Sequence, residues 1–326
     1  MSHLVSYKTI LQNNLLIPVR TVAMLMQRND IVRYVFRWLK RCCTGGLHVP
    51  DDSILIIKKS LPQLDLSKIK ADATCGLPGK VKTAALTEKY TQRIGALQEL
   101  LYVDGRRGLL VVMQGMDTAG KDGTIRHVFD HVNPAGVRVT SFGKPSTVER
   151  SHDFLWRIYP AVPARGQIGV FNRSHYEDVL IVRVHANTLL PDYLQKEKHL
   201  WARRYAAINA FEANLTEAGI CVLKFFLHIS REEQTSRLMK RQKSPDKHWK
   251  LSEDDFTERK FWQDYQSAYQ QMLINTGTPA APWHIIPMDH KWIGRALIAK
   301  TIMQTMENMK LKVRPASDPA LITRKL

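Results

Sequence analysis

From residue 87 onward the spacing of apolar positions changes repeatedly between helical and extended, and the changes predict a fold. Ile94, Leu97, Leu100 and Leu101 recur at helical spacing, so 87–103 reads as a helix with Thr87 as its cap. The run 109–114 (LLVVMQ) is short and unbroken in its apolarity, as a strand buried on both faces requires. Helical spacing returns in Ile125, Val128, Phe129 and Val132 and stops at Asn133-Pro134, because the residue before a proline disfavours helical backbone. Further strand patterns lie at 137–142, 168–171, 222–228 and 284–287. Helical ones cover about 147–159, 191–218, 231–275 and 291–310. Residues 51–85, punctuated by Pro62, Gly76, Pro78 and Gly79, read as an irregular approach. Strands alternating with helices predict an α/β fold with a five-stranded parallel sheet covered on both faces.

Charge changes this picture more than composition does. The chain has 326 residues, 44% of them hydrophobic, enough for one large core with a lid or tail. Lys and Arg total 48 against 30 Asp and Glu, a net charge of +18. Such a field attracts polyanions: nucleic acid, an anionic membrane, or a phosphate-rich substrate. No apolar stretch is long enough to span a bilayer. Cys42, Cys43, Cys75 and Cys221 lack the paired spacing of a metal site, and Cys221 sits in an apolar run. A reducing, cytoplasmic setting without structural disulfides is expected.

The first 50 residues stand apart, with Lys8, Arg20, Arg28, Arg33, Arg37, Lys40 and Arg41 against the single acid Asp30. Val32, Val35, Phe36 and Leu39 would give a surface or targeting helix an apolar face. A poorly ordered basic extension is the favoured reading. The expected organisation is therefore an extension over 1–50, one catalytic domain over 51–315, and a tail over 316–326.

The candidate chemistry starts after the first of these strands, in Gly115-Met116-Asp117-Thr118-Ala119-Gly120-Lys121-Asp122-Gly123-Thr124. The run meets G-x-x-x-x-G-K between a strand and a helix, where a phosphate-binding loop belongs. Gly115, Ala119, Gly120, Gly123 and Thr124 are the expected cradle, since glycines let backbone N–H groups curl around phosphate oxygens at a helix N-terminus. Lys121 supplies a positive charge to the phosphates in transfer. Asp122 stands where the motif normally has Ser or Thr, and Asp117 is a second unusual acid. Two carboxylates beside a polyanion repel it unless a cation lies between them, so Mg²⁺ or Mn²⁺ is implied.

A second polar run, Asn172-Arg173-Ser174-His175-Tyr176-Glu177-Asp178, closes the strand at 168–171. In open α/β sheets ligands bind beyond the carboxyl ends of the strands, so this run should face the phosphate loop. Asp178 or Glu177 could complete a metal site with Asp117, and Arg173 could hold a phosphate through two N–H groups. Glu177 and Asp178 would equally suit a helix cap, Tyr176 a core position, and His175 a structural hydrogen bond. The charged stretch around 231–260 carries Arg231, Arg237, Lys240, Arg241, Lys243, Lys247 and Lys250. It reads either as a lid over the phosphates, with Arg237 and Arg241 on one helical face, or as an exposed basic surface.

Four separated blocks, 115–125, 132–145, 171–185 and 223–230, resemble the polyphosphate kinase 2 family in the family's order. The form Ser-His-Tyr-Glu-Asp at 174–178 is most similar to the single-domain subgroup that phosphorylates both AMP and ADP. The resemblance implies a three-layer α/β/α fold like that of P-loop nucleotide kinases, with a five-stranded parallel core and a helical lid. It implies inorganic polyphosphate as donor, ADP or AMP as acceptor with ATP among the products, Mg²⁺ or Mn²⁺ as cofactor, and a homo-oligomer, dimer or tetramer. By position, Asp117 and Asp178 would hold metal or orient the acceptor, and Lys121, Arg173, Arg237 and Arg241 would bind phosphate. Asn172 would hold the acceptor's phosphate. A polymeric anion also needs a basic track, for which Lys58, Lys59, Lys80, Lys82, Arg126 and Lys144 are candidates.

Two other functions share some of these features. An ATP-dependent nucleotide kinase would have the same sheet, loop and lid, but not the two loop aspartates or the excess positive charge. A nucleic-acid-binding NTPase would use the charge, but no aromatic-rich basic recognition motif appears. Trp249, Trp262 and Trp292 fall at helical apolar positions and read as packing.

Overall fold

The computed structural model describes residues 54–59 and 63–313. The expected extension over 1–50 and the tail over 316–326 lie outside the described residues. The elements are, in order, β1 (Leu55–Ile57), α1 (Lys80–Asp104), β2 (Gly108–Gly115), α2 (Lys121–Val128), β3 (Val137–Ser141) and β4 (Ile168–Asn172). They continue with α3 (Leu200–Glu217), β5 (Ile220–His228), α4 (Arg231–Gln242), α5 (Trp262–Thr276), β6 (Trp283–Pro287) and α6 (Lys291–Asn308). Short 3-10 and single-turn helices connect them.

The sheet has six strands in the order β1-β6-β5-β2-β4-β3. The five strands legible in the sequence form its parallel part, and β2 lies central, paired with β4 on one side and β5 on the other. The sixth corrects the expectation: β1 adds to β6 in antiparallel register, Leu55 opposite Ile285 and Ile57 opposite Trp283. A three-residue strand offers too short a pattern to stand out within the stretch read as irregular. All eight residues of β2 are buried, which explains why its sequence shows an apolar run rather than alternation.

Helices α1, α2 and α6 pack together on one side, and α3 and α5 pack together on the other and against β5. The first two turns of α1 escaped the hydrophobic period because threonines stand on its inner face. Thr83 and Thr87 are buried, and their hydroxyls donate to Pro78 O and Thr83 O at 2.7 and 2.8 Å. Gly105, with φ 60°, ends the helix by donating its N–H back to Leu101 O, a left-handed cap that suits glycine.

Other expected helices are shorter than their patterns. The one at 147–159 is a single turn, Thr147–Arg150, closed by a reciprocal Ser146–Glu149 capping box. Over 231–275, Pro245 ends helical continuity after α4, and two 3-10 segments and a single turn of α-helix separate it from α5. Trp262 is buried as expected, but Trp249 is 78% exposed and does not pack in the core. Among the described residues, no helix is long and apolar enough to cross a membrane.

Candidate active site

The loop between β2 and α2 turns back on itself through two left-handed residues, Thr118 at φ 64° and Gly120 at φ 99°. Glycine adopts such a φ freely, but threonine does so at a cost, and strain of this kind persists where surrounding contacts over-determine it. The contacts come from α4, on the far side of the loop. Gln234 Nε2 donates to Asp117 O at 3.2 Å, and Arg237 Nη1 to Thr118 O and Ala119 O at 3.0 and 2.9 Å. Arg237 also donates to Glu233 Oε1 through Nε and to Met288 O and Asp289 O through Nη2, so its N–H groups are fully engaged. Each trans peptide points its N–H opposite its carbonyl. Drawing the carbonyls of 117 and 119 toward α4 therefore turns the N–H groups of Thr118 and Gly120 the other way. At the loop's entry, a Cβ on Gly115 would lie 2.8 Å from Leu227 O, so only glycine fits beside β5.

Lys121 opens α2 and folds across the loop, its Nζ donating to Gly115 O at 2.7 Å and Met116 O at 3.2 Å. Burial, reinforced by the charge of Arg173, lowers its ammonium to about 8 against the opposing pull of Asp117, Glu177 and Asp122. Thr124 is buried in the first turns of α2, and neither its hydroxyl nor that of Thr118 has a hydrogen-bond partner among the described residues.

The carboxyl end of β4 reaches the same place. Asn172 Nδ2 donates to Asp122 Oδ1 at 2.7 Å and to Ser141 Oγ at 3.3 Å, joining the ends of β3 and β4 to α2. Burial pushes the Asp122 carboxyl up, but the Asn172 hydrogen bond and the charges of Lys250 and Lys121 outweigh it and hold it below its ordinary value. Arg173, at φ 62°, aims its guanidinium at both acids around the loop: Asp117 Oδ1 at 2.6 Å and Glu177 Oε2 at 3.4 Å. Burial opposes the Arg173 charge, yet Glu177 and Asp117 keep it above its usual value. The 3-10 turn His175–Val179 follows, capped by Ser174, whose hydroxyl accepts from Tyr176 N and from Gln114 Nε2.

Asp178 is positioned differently. Its carbonyl accepts from Arg204, and its carboxylate lies 3.6 Å from Arg204 Nη1. Burial pushes its carboxyl up to about 6 despite Arg204 and Arg157. Asp117 and Asp178 thus engage different arginines. Among the described residues, no group of three or more His, Cys, Asp or Glu is arranged to hold a metal ion. The acids present instead fit a divalent cation that takes one or two carboxylates and completes its shell with substrate phosphates and water, with Asp117 at the loop as donor.

Beneath the turn lies a polar core. Lys224 Nζ donates to Glu212 Oε2 at 2.6 Å, Tyr176 OH at 2.8 Å and Thr276 O at 2.7 Å, with Lys224 and Glu212 almost wholly buried. Tyr176 OH donates to Glu212 Oε1 at 2.7 Å, and His175 is wholly buried with its ring against Tyr176 and Phe211. Tyr176 is a core residue here, as one of its readings had it. His175 is buried too, but among the described residues neither of its ring nitrogens makes the structural hydrogen bond expected of it, Nε2 lying 3.4 Å from Glu212 Oε1.

The lid region bends over the loop. Lys250 Nζ lies 3.7 Å from Asp122 Oδ2, and Lys144, after β3, pairs with Asp254 at 2.9 Å. Arg241 braces the lid from within, donating to Lys250 O at 3.0 Å and Asp255 Oδ2 at 2.8 Å. Of the expected basic track, Lys58, Lys59, Lys80 and Lys82 are exposed on β1's flank and at the start of α1, and among the described residues none bonds to the loop. Arg126 belongs to a cluster the sequence did not reveal. Lys291 and Arg295 of α6 lie against the first turn of α2: a Cβ on Gly123 would meet Arg295 Nη2 at 3.2 Å, and one on Gly120 would meet Lys291 Cε at 3.9 Å. Burial lowers the charge affinity of both, and the cations around them (Arg237 and Arg126 among them) lower it further. Only the fold brings these residues together, since Lys291, the first residue of α6, stands 168 positions beyond Gly123 in the chain.

Comparison with known proteins agrees with this geometry. The family model for polyphosphate kinase 2 matches residues 79–314. The chain is 43% identical over 252 residues to the AMP/ADP-polyphosphate phosphotransferase of Meiothermus ruber, covering 77% of this chain and 91% of that protein. It is 44% identical over 244 residues to the ADP-polyphosphate phosphotransferase of Rhodopseudomonas palustris, covering 72% and 82%. The crystal structure of polyphosphate kinase 2 from Arthrobacter aurescens superposes with a TM-score of 0.75 at 39% identity, over 82% of this chain and 95% of that one. The chain belongs to the polyphosphate kinase 2 family.

Proposed function

We propose that the protein transfers the terminal phosphoryl group of inorganic polyphosphate to ADP and to AMP, and that it runs the transfer in both directions. The observation that carries this reading is the phosphate loop held from behind by Gln234 and Arg237, with the cations Lys291, Arg295 and Arg126 clustered at its side. A loop whose carbonyls are drawn out presents N–H groups to phosphate oxygens. Lys291, Arg295 and Arg126 extend the positive surface beyond the loop, which suits a donor with many more charges than one nucleotide carries.

Transfer requires the bond from the terminal phosphorus to its bridging oxygen to break, while an oxygen of the acceptor's last phosphate bonds to that phosphorus. Catalysis of this kind is positioning plus charge stabilisation. Lys121, released from the carbonyls of Gly115 and Met116, follows the phosphoryl group in transit. Arg173 and Asn172 hold the acceptor's phosphate at the end of β4. Asp117 would hold Mg²⁺ or Mn²⁺, with Asp178 as a further candidate donor; such an ion would supply positive charge against the charge developing on the phosphates. Arg237 and Arg241 contribute by fixing the loop and the lid, and Lys250 and Lys144 bring the lid down. The reading includes a cytoplasmic homo-oligomer.

The two relatives named above differ in their named acceptors, one AMP and ADP, the other ADP alone. Incubating the purified protein with polyphosphate and either AMP or ADP, without ATP, tests both levels. Formation of ADP from AMP and ATP from ADP supports the proposal; ATP from ADP alone narrows the acceptor. Transfer that requires added ATP as donor would mark a conventional nucleotide kinase instead.

A further inference from the structure

The amino-terminal ends of the central strands lie at the opposite edge of the sheet from the phosphate loop. Gly108 of β2 pairs there with Ile220 of β5, while Gly115 closes β2 at the loop. Eight residues at ~3.3 Å each place the two edges roughly 25 Å apart. At this far edge a recess of about 580 Å³ opens between Arg106, Arg107, Gly219 and the segment after α6 that carries Lys310 and Lys312. Among the described residues that line it, none is acidic and none aromatic.

The recess is organised by a buried carboxylate. Asp104, 1% exposed, accepts from Arg106 Nε at 2.8 Å and Nη2 at 2.6 Å, and from the backbone N–H of Lys312 at 2.8 Å. It thereby fixes the segment after α6 beside the start of β2. Lys310 holds a left-handed backbone, φ 51°, and Arg165 adds a further cation, its Cδ 3.7 Å from the position of a Cβ on Gly219. Among the described residues, Arg107, Arg165, Lys310 and Lys312 are exposed and form no ion pair. A chain of charge +18 scatters cations over its surface. This group differs in that four distant stretches of sequence converge on one concavity around a buried anchor.

We propose that this recess binds a stretch of inorganic polyphosphate remote from the reacting end, so that a long donor chain is held at two places. The inference rests on the polyphosphate reading of the catalytic site. The cations suit successive phosphates, and the lack of an aromatic lining gives a nucleobase no surface to stack on. Holding the polymer at a second place raises the effective concentration of its terminus at the loop without adding a contact there. A chain of six phosphates is too short to reach both places.

The test is equilibrium binding of long-chain polyphosphate and of hexaphosphate to the full chain. Wild type is compared with Arg107→Glu/Lys310→Glu and with Lys89→Glu/Lys300→Glu, an equal change of charge at exposed positions on α1 and α6. The recess variant should bind the long chain about tenfold more weakly, with a shallower salt dependence. Its hexaphosphate binding and its turnover of hexaphosphate should match wild type. Unchanged long-chain binding overturns the proposal, as does equal weakening in the control variant or equal weakening for both ligands. If single-stranded RNA of matched length loses as much affinity as polyphosphate, the recess is a general polyanion surface and the specific proposal fails. Absence of phosphoryl transfer in wild type would sink the catalytic reading alone, since the binding comparison does not depend on turnover.

Discussion

Arg237 Nη1 donates to Ala119 O at 2.9 Å, which makes the first helix of the lid and the phosphate loop one mechanical unit. An arginine that only touched phosphate would be needed for transfer and dispensable for folding. An arginine whose donors all serve protein acceptors is needed for both.

Arg237→Ala is therefore expected to lower turnover about tenfold or more and to reduce unfolding free energy by about 2–4 kcal/mol, because buried carbonyls and Glu233 lose their partner. Denaturant titration beside steady-state kinetics checks this. Lost turnover at unchanged stability would assign Arg237 to the substrate instead.

The Lys224–Glu212 pair supports the turn that presents Arg173 and Glu177. Lys224→Met leaves the Glu212 carboxylate buried without its cation, for an expected cost of about 3–5 kcal/mol. Lys224→Met/Glu212→Leu removes both charges and should recover most of that loss in the same denaturation measurement. A single variant as stable as wild type would contradict the account.

His284 gives the stability a definite pH slope. Burial holds its imidazole down to about 4, against 6.5 for an ordinary histidine. Above pH 6.5 both folded and unfolded chains carry it neutral, so it contributes nothing there. Between 6.5 and 4 the unfolded chain takes up a proton that the folded chain refuses, so stability falls with pH by up to about 3 kcal/mol. In His284→Gln the fall over this window should be shallower by about that amount; parallel slopes would contradict it.

Two exposed ion pairs, Lys250–Asp122 and Lys144–Asp254, fasten the lid to the body. Exposed pairs contribute little to folding, so Lys144→Ala/Lys250→Ala should keep its unfolding free energy within about 1 kcal/mol of wild type. Lid closure should weaken all the same, with KM for polyphosphate raised severalfold at low salt and the difference shrinking as salt is added. A KM equal to wild type at low salt would show that these links play no part in closure.

The parallel core and the loop were legible in the sequence because both rest on local order: apolar runs bounded by breakers, and glycines at fixed offsets before Lys121. Arg173 and Asn172 were legible from their place at the end of a strand. What escaped was either too short or too distant. Leu55–Ile57 has three residues and no room for a period. Gln234 serves the loop from more than 100 positions away, though its spacing of three from Arg237 on a helix with Arg and Gln facing inward was a usable signal. Lys291 and Arg295 sit on a helix whose pattern points to no chemistry, and only the pairing of α2 with α6 sets them beside the phosphate loop.

The central claim is that this loop moves phosphoryl groups from polyphosphate, with Lys121 at the reaction. The most direct measurement is ATP formation from ADP with polyphosphate as sole donor, for wild type and for Lys121→Ala, each with a divalent cation and with excess chelator. The account predicts ATP from wild type, its loss with chelator, and a rate about 100-fold lower in the variant. ATP formed equally fast by Lys121→Ala, or by wild type in chelator, would contradict it.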